Sequence, residues 1–154
     1  MRDIAEHIVE ALGARHDVVL VTVVGSRGST PRNAGSQMLV SKAGLVCGTI
    51  GGGAIEGHAI TKARTMVGED TCFVEDLALR PQAPNSIGMV CGGDAVLLYV
   101  PICAEDDAWT QVASRLLKCF EQRTPAYLAL ECREGGSPFK GTVALFDEQG
   151  ELVA

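Results

Sequence analysis

Residues 45–67 read LVCGTIGGGAIEGHAITKARTMV. The short run from Leu45 to Ile50 has the length and apolar character of a strand. Three adjacent glycines follow, Gly51, Gly52 and Gly53. From Ala54 to Val67 the pattern becomes helical, with Ile55, Ala59, Ala63 and Met66 on one face, and Gly68 ends it. A strand that feeds a glycine turn that feeds a helix points to a mixed α/β chain.

The flanks agree. Val18 to Val24 is β-branched and apolar on both faces, as expected of a central strand covered on both sides. Gln37 to Val40 reads as a second strand, and Ser41-Lys42-Ala43-Gly44 as the turn returning to Leu45. Residues 3–14 read as a helix, with Asp3 and Glu6 as a capping box and Gly13 as its stop. Thr71 to Leu79 and Asp94 to Val100 read as strands separated by a loop, and Pro101 to Asp107 as a linker. A helix from Asp107 to Glu121 turns Trp109, Val112, Ala113, Leu116 and Phe120 inward. Strands at Pro125 to Glu131 and Thr142 to Phe146 complete the chain. The expected fold is a β core with packed helices and glycine-rich ligand loops, without a separate Rossmann domain. Residues 1–154 form one domain, with the motifs in 1–100. Residues 101–154 read as a degenerate helix-strand-strand repeat. Gly136-Ser137-Pro138, Gly141 and the turn at Gly150 echo Gly28-Ser29-Thr30-Pro31, Gly35 and the turn at Gly44.

Composition excludes several classes. Hydrophobic residues make up 47% of the 154, enough to bury a core. Lys and Arg number 13 against 19 Asp and Glu, a formal charge of -6, and aromatic residues are 5%. A nucleic-acid partner is therefore not expected, since phosphate contact needs a basic face. No apolar run approaches the ~18 residues of a membrane span, and no secretory signal opens the chain, so a cytoplasmic location is expected. The six cysteines contain no Cys-x-x-Cys pair, which removes the zinc-ribbon and thioredoxin readings. Most of these thiols are expected to be small buried side chains.

Three stretches can carry chemistry. In Gly48-Thr49-Ile50-Gly51-Gly52-Gly53-Ala54-Ile55-Glu56, the glycines permit positive φ and close approach of a ligand. The helix start supplies unpaired amides for an anion, most simply a phosphate. No Lys closes a P-loop, and Glu56 stands where a dinucleotide fingerprint needs its third glycine. That carboxylate disfavours phosphate deep in the turn unless it points away. The plain alternative is a turn that only lets strand and helix pack closely.

The second stretch, Gly25 to Arg32, offers Arg27 and Arg32 as forked donors and Ser26, Ser29 and Thr30 as hydroxyls. The third, Met89-Val90-Cys91-Gly92-Gly93, sets a thiol beside two glycines. Near an arginine, Cys91 would gain thiolate character and suit a soft metal or a persulfide. The histidines at 7, 16 and 58 are read as solvated or packing residues, and no Ser-His-Asp set is visible.

Together these words, Gly28-Ser29-Thr30-Pro31-Arg32 with Gly35 and Met38, then Gly48 through Glu56, then Cys91-Gly92-Gly93, resemble the XdhC/CoxI family of xanthine dehydrogenase accessory factors. The likeness covers residues 15–100 firmly and the remainder loosely, and is that of the family's N-terminal domain. It implies a maturation factor rather than an enzyme. Such a factor holds molybdenum cofactor, supports its sulfuration with a cysteine desulfurase, and passes it to a molybdenum hydroxylase such as xanthine dehydrogenase. Ser29, Arg32, Gly51, Gly52, Gly53, Glu56, Cys91, Gly92 and Gly93 are the implied cofactor-binding residues, with Cys91 toward the metal. Ala54 stands where some relatives have a cysteine, so that second thiol is missing. A homodimer that shelters the labile cofactor is expected. Two rival readings stay open. One is a nucleotide- or NAD(P)-binding oxidoreductase using Gly51 and Gly53, with Glu75 or Asp76 on the ribose. The other is a protein-interaction module whose glycines are structural.

Overall fold

A computed structural model describes residues 1–28, 33–78, 93–131 and 138–154. Helix α1 spans Arg2–Gly13 and strand β1 spans Val18–Arg27. The hairpin strands are β2 (Gln37–Ser41) and β3 (Gly44–Gly48), and helix α2 follows at Gly53–Met66. Then come β4 (Phe73–Ala78), β5 (Asp94–Ile102), α3 (Asp107–Gln122), β6 (Ala126–Leu130) and β7 (Val143–Asp147). Five strands form one sheet in the order β3-β2-β1-β5-β4, and β6 pairs with β7 separately. Every pairing is antiparallel.

β1 lies at the sheet centre because it is apolar at every position from Val18 to Val21 and again at Val23. Period-2 alternation divides these side chains between two cores. Val19, Val21 and Val23 join Met38, Val40, Leu97 and Tyr99 beneath Ile55, Ala59, Ala63 and Met66 of α2. Val18 and Leu20 join Leu39, Leu98, Val100 and Ile102 on the opposite face, against Ile4, Ile8 and Leu12 of α1 and Trp109 and Ala113 of α3. Ala5, Val112, Leu116 and Leu145 form a third cluster that joins α1 and α3 to β7. The sheet is thus a middle layer between α2 and the α1-α3 pair.

Several local expectations are corrected. Met1, not Asp3, is the N-cap of α1, and no side chain caps it. Arg2 instead pairs with Glu6 at 2.9 Å. Gly13 belongs to the helix, and Arg15 takes the positive φ, 57°. There is no linker at 101–107. Pro101 and Ile102 complete β5 opposite Val19 and Val18, and the Asp106 carboxylate caps α3 by accepting from Ala108 and Trp109 amides. Phe120 is 37% exposed, because α3 buries its Trp109, Val112 and Leu116 stripe and Phe120 falls at its margin. Gly25 to Arg27 extend β1 past a bulge rather than opening a loop.

Connectivity also decides against a dinucleotide unit. β3 and β4, the strands on either side of α2, lie at opposite edges of the sheet. A Rossmann fingerprint needs a helix between parallel strands of one βαβ unit. Here α2 crosses the whole face of an antiparallel sheet.

Candidate functional site: a glycine turn at one end of the sheet

The glycine turn takes the backbone that glycine uniquely permits. Gly51, Gly52 and Gly53 have φ of 133°, 72° and 61°. A Cβ at Gly52 or Gly53 would meet nothing within 4 Å, so conformation rather than crowding requires glycine there. Gly53 and Ala54 are exposed, and no side chain caps the first turn of α2.

Glu56 points into the turn, not away from it. Its Oε2 accepts hydrogen bonds from Thr49 Oγ1 at 2.5 Å, Gly52 N–H at 3.1 Å and Ile50 N–H at 3.2 Å. Thr49 Oγ1 in turn accepts from the Gly51 amide at 3.2 Å. The carboxylate does not point away, so it disfavours phosphate deep in the turn. The chain's own carboxylate engages the amides of Ile50 and Gly52, leaving the exposed first-turn positions Gly53 and Ala54 for an external ligand. Burial raises the Glu56 pKa, but donors from Thr49, Gly52, Ile50 and Gly51 outweigh it and hold the group below the usual carboxylate range.

A pKa lowered in the fold stabilises the fold above the unfolded value, about 4.3, and that contribution disappears as pH falls through the folded value. Glu56→Gln should therefore flatten the acid limb of the stability–pH curve. Glu56→Ala should cost about 2 kcal/mol at neutral pH, from the loss of charge-assisted bonds. Denaturant unfolding at pH 3 to 7 checks both outcomes.

The turn shares its end of the sheet with the flanks of the other two stretches. Thr49 N–H donates to Gln37 O at 2.9 Å at the close of β3. Arg27 pairs in register with Asp94, and Asp94 with Ala78, across β1, β5 and β4. Gly28 therefore follows a strand end that lies beside the start of β5, and Gly93, buried, immediately precedes that start. On the other flank, Gly35 and Ser36 return to Val23 through backbone bonds of 2.7 and 2.9 Å. Ser29, Arg32, Cys91 and Gly92 lie outside the described residues.

Under α2 a polar chain runs into the core. Tyr99, fully buried, donates its hydroxyl to Glu75 Oε2 at 2.6 Å. His58 Nε2 lies 3.0 Å from Glu75 Oε1. Burial raises the Tyr99 pKa, and the Glu75 carboxylate adds to that. Glu75 is thus engaged on both oxygens inside the α2 layer. That corrects the reading of Glu75 as a ribose holder; Asp76, the other candidate, is exposed on the opposite face of β4. The partnership was not readable from spacing, since its members stand on α2, β4 and β5.

Of the described cysteines, Cys72 is buried, whereas Cys47, Cys103 and Cys119 are partly exposed. The expectation of mostly buried thiols is corrected there, because β3 is an edge strand, Cys103 stands in the turn after β5 and α3 exposes part of its circumference. Burial, and then the charge of Asp3, push Cys47 up to about 11. Burial and nearby carboxylates, Asp17 first among them, also raise Cys103. Neither thiol has activated character.

The architecture and the glycine turn define an α/β protein built around an antiparallel sheet with an exposed, glycine-opened helix start. Residues 11–76, fewer than half of the 154, match the model of the XdhC and CoxI family. The molybdenum cofactor insertion chaperone PaoD of Escherichia coli (strain K12) is 42% identical over 67 residues, covering 44% of this chain and 21% of PaoD. The uncharacterized protein YqeB of the same organism is 35% identical over 83 residues, covering 54% of this chain and 15% of YqeB. The chain thus spans less than a quarter of the length of either relative. A crystal structure described as a xanthine dehydrogenase from Bacillus halodurans shares the fold, with a TM-score of 0.71 over 97% of this chain and 44% of that one, at 20% identity. No helix among the described residues is long and apolar enough to cross a membrane.

Proposed function

We propose that this chain receives molybdenum cofactor and helps deliver it to a xanthine dehydrogenase-type hydroxylase in the cytoplasm. The cofactor is cargo, a phosphate-bearing pterin with a dithiolene-bound metal. The observation that carries the reading is convergence. The glycine turn, the strand end before Ser29 and the glycine after Cys91-Gly92 share one end of one sheet. Likeness to a cofactor insertion chaperone supports the same reading.

In this reading the first turn of α2 receives the phosphate on the Gly53 and Ala54 amides, aided by the helix dipole. Glu56 is a positioning residue. It holds the turn in shape and keeps an anion out of its inner amides. Ser29 and Arg32 add donors to the phosphate, Gly92 and Gly93 let the backbone approach, and Cys91 supplies a soft sulfur donor for the metal end. A cysteine desulfurase is the proposed source of sulfur. A homodimer is the proposed assembly, since burial between subunits would shelter the cargo. Residues 1–154 act as one unit, with the helix-strand-strand segment of α3, β6 and β7 buttressing α1.

Anaerobic titration of the purified chain with molybdenum cofactor tests the reading. Saturable binding, with no competition from NAD or ATP, is expected. Absence of binding, with retained association to a hydroxylase subunit, would instead favour the pure interaction module.

A further inference from the structure

A second cluster stands away from the glycine turn, where α1 meets the edge strand β3. Asp3 and His7 are one helical turn apart on α1, and Cys47 lies across from them on β3. One ligand atom from each, a carboxylate oxygen, a ring nitrogen and the thiol sulfur, lies within 4.8 Å of the other two. It is the one such group of donors among the described residues. Two contacts already draw the group together. His7 Nδ1 lies 3.6 Å from Asp3 Oδ1, which sets carboxylate and imidazole side by side on α1. The Asp3 carbonyl oxygen accepts from Cys47 Sγ at 4.0 Å and from His7 Nδ1 at 2.8 Å, which orients the ring and leaves Nε2 as the imidazole donor for a cation.

We infer that Asp3, His7 and Cys47 bind a divalent cation of the zinc type. Sulfur, imidazole and carboxylate together match that borderline-soft ion, and a water would complete the tetrahedron. The surroundings favour a cation. Asp3, Glu6 and Glu10 act on His7, Asp3 and Glu10 act on Cys47, and the amino terminus is the opposing charge. Closure asks for side-chain rotation, which exposed Asp3 can make. As the metal–sulfur bond forms, the thiol proton leaves to solvent.

The consequence is structural. The cation ties the first turn of α1 to β3 two residues before Thr49, the hydroxyl that bonds Glu56 in the glycine turn. It pins an edge strand at the point where that strand feeds the site. This inference is independent of the molybdenum cofactor reading.

The test is titration of the full chain, freed of metal by a chelator, with Co2+ and then with competing Zn2+. One equivalent of Co2+ should bind with a thiolate-to-cobalt charge-transfer band and the visible bands of tetrahedral cobalt. Cys47→Ser should abolish the charge-transfer band. His7→Gln should weaken affinity by at least about 100-fold, the upper range for disturbing even an outer-shell partner. Should Cys47→Ser fail to fold, Asp3→Asn combined with His7→Gln gives the same affinity readout. No binding, a band that persists in Cys47→Ser, or unchanged affinity in His7→Gln would overturn the inference.

Discussion

Gly48→Ala should lower stability by about 3 kcal/mol, and the melting temperature by about 6–12 °C. Two costs combine. Gly48 has φ of 79°, a conformation that costs an L-residue about 1–2 kcal/mol. Its Cβ would also stand 2.4 Å from Gln37 O and 2.9 Å from Met38 Cα, both backbone atoms of the paired strand, and 3.0 Å from Ile4 Cδ1. Backbone cannot rotate aside as a side chain can, so β2 and β3 must separate or α1 must lift. Gly150→Ala is the control. Its φ is 83°, close to that of Gly48, but its Cβ would meet open space, so only the conformational cost of about 1–2 kcal/mol applies. Thermal and denaturant unfolding of the two variants measures the difference. Equal effects would show that close approach of β3 to β2 at Gly48 contributes nothing.

The other large effect is on ligand affinity. Arg32→Ala and Cys91→Ala should each weaken molybdenum cofactor binding by about ten- to a hundredfold, while leaving the fold intact. A charge-assisted bond to a phosphate contributes about 1.5–3 kcal/mol, and each 1.4 kcal/mol is a factor of ten. Arg32 serves the phosphate end in the proposed arrangement and Cys91 the metal end. Truncated ligands should therefore separate them. A pterin phosphate without metal should lose affinity with Arg32→Ala and be indifferent to Cys91→Ala. Unchanged affinity in both variants would defeat the proposed site.

Much of the fold was legible in residue order. The burial of β1 follows from a run of β-branched residues apolar on both faces. The α2 core face is the predicted set Ile55, Ala59, Ala63 and Met66, because helical periodicity alone selects it. Less legible were features set by partners distant in sequence. Pro101 and Ile102 look like a linker, yet they are drawn into β5 by pairing with β1. Asp3 looks like a cap, yet the helix begins before it. Glu56 was visible as a carboxylate in an anion-binding turn, but its direction depends on Thr49 and the amides around it. The cluster of Asp3, His7 and Cys47 left only half a signal, the i,i+4 spacing of its first two members.

Composition and local periodicity by themselves determined the elements, the two buried faces of β1 and the three positive-φ glycines that open α2. These depend on steric preference and solvent exclusion, which act over a few residues. Tertiary structure alone decided that the sheet is antiparallel, that α2 crosses it from edge to edge and that Glu56 seals the inner amides of the turn. It also decided which end of the sheet gathers the candidate residues. Those outcomes depend on strand register and on contacts between distant parts of the chain, which exist only once the layers have packed.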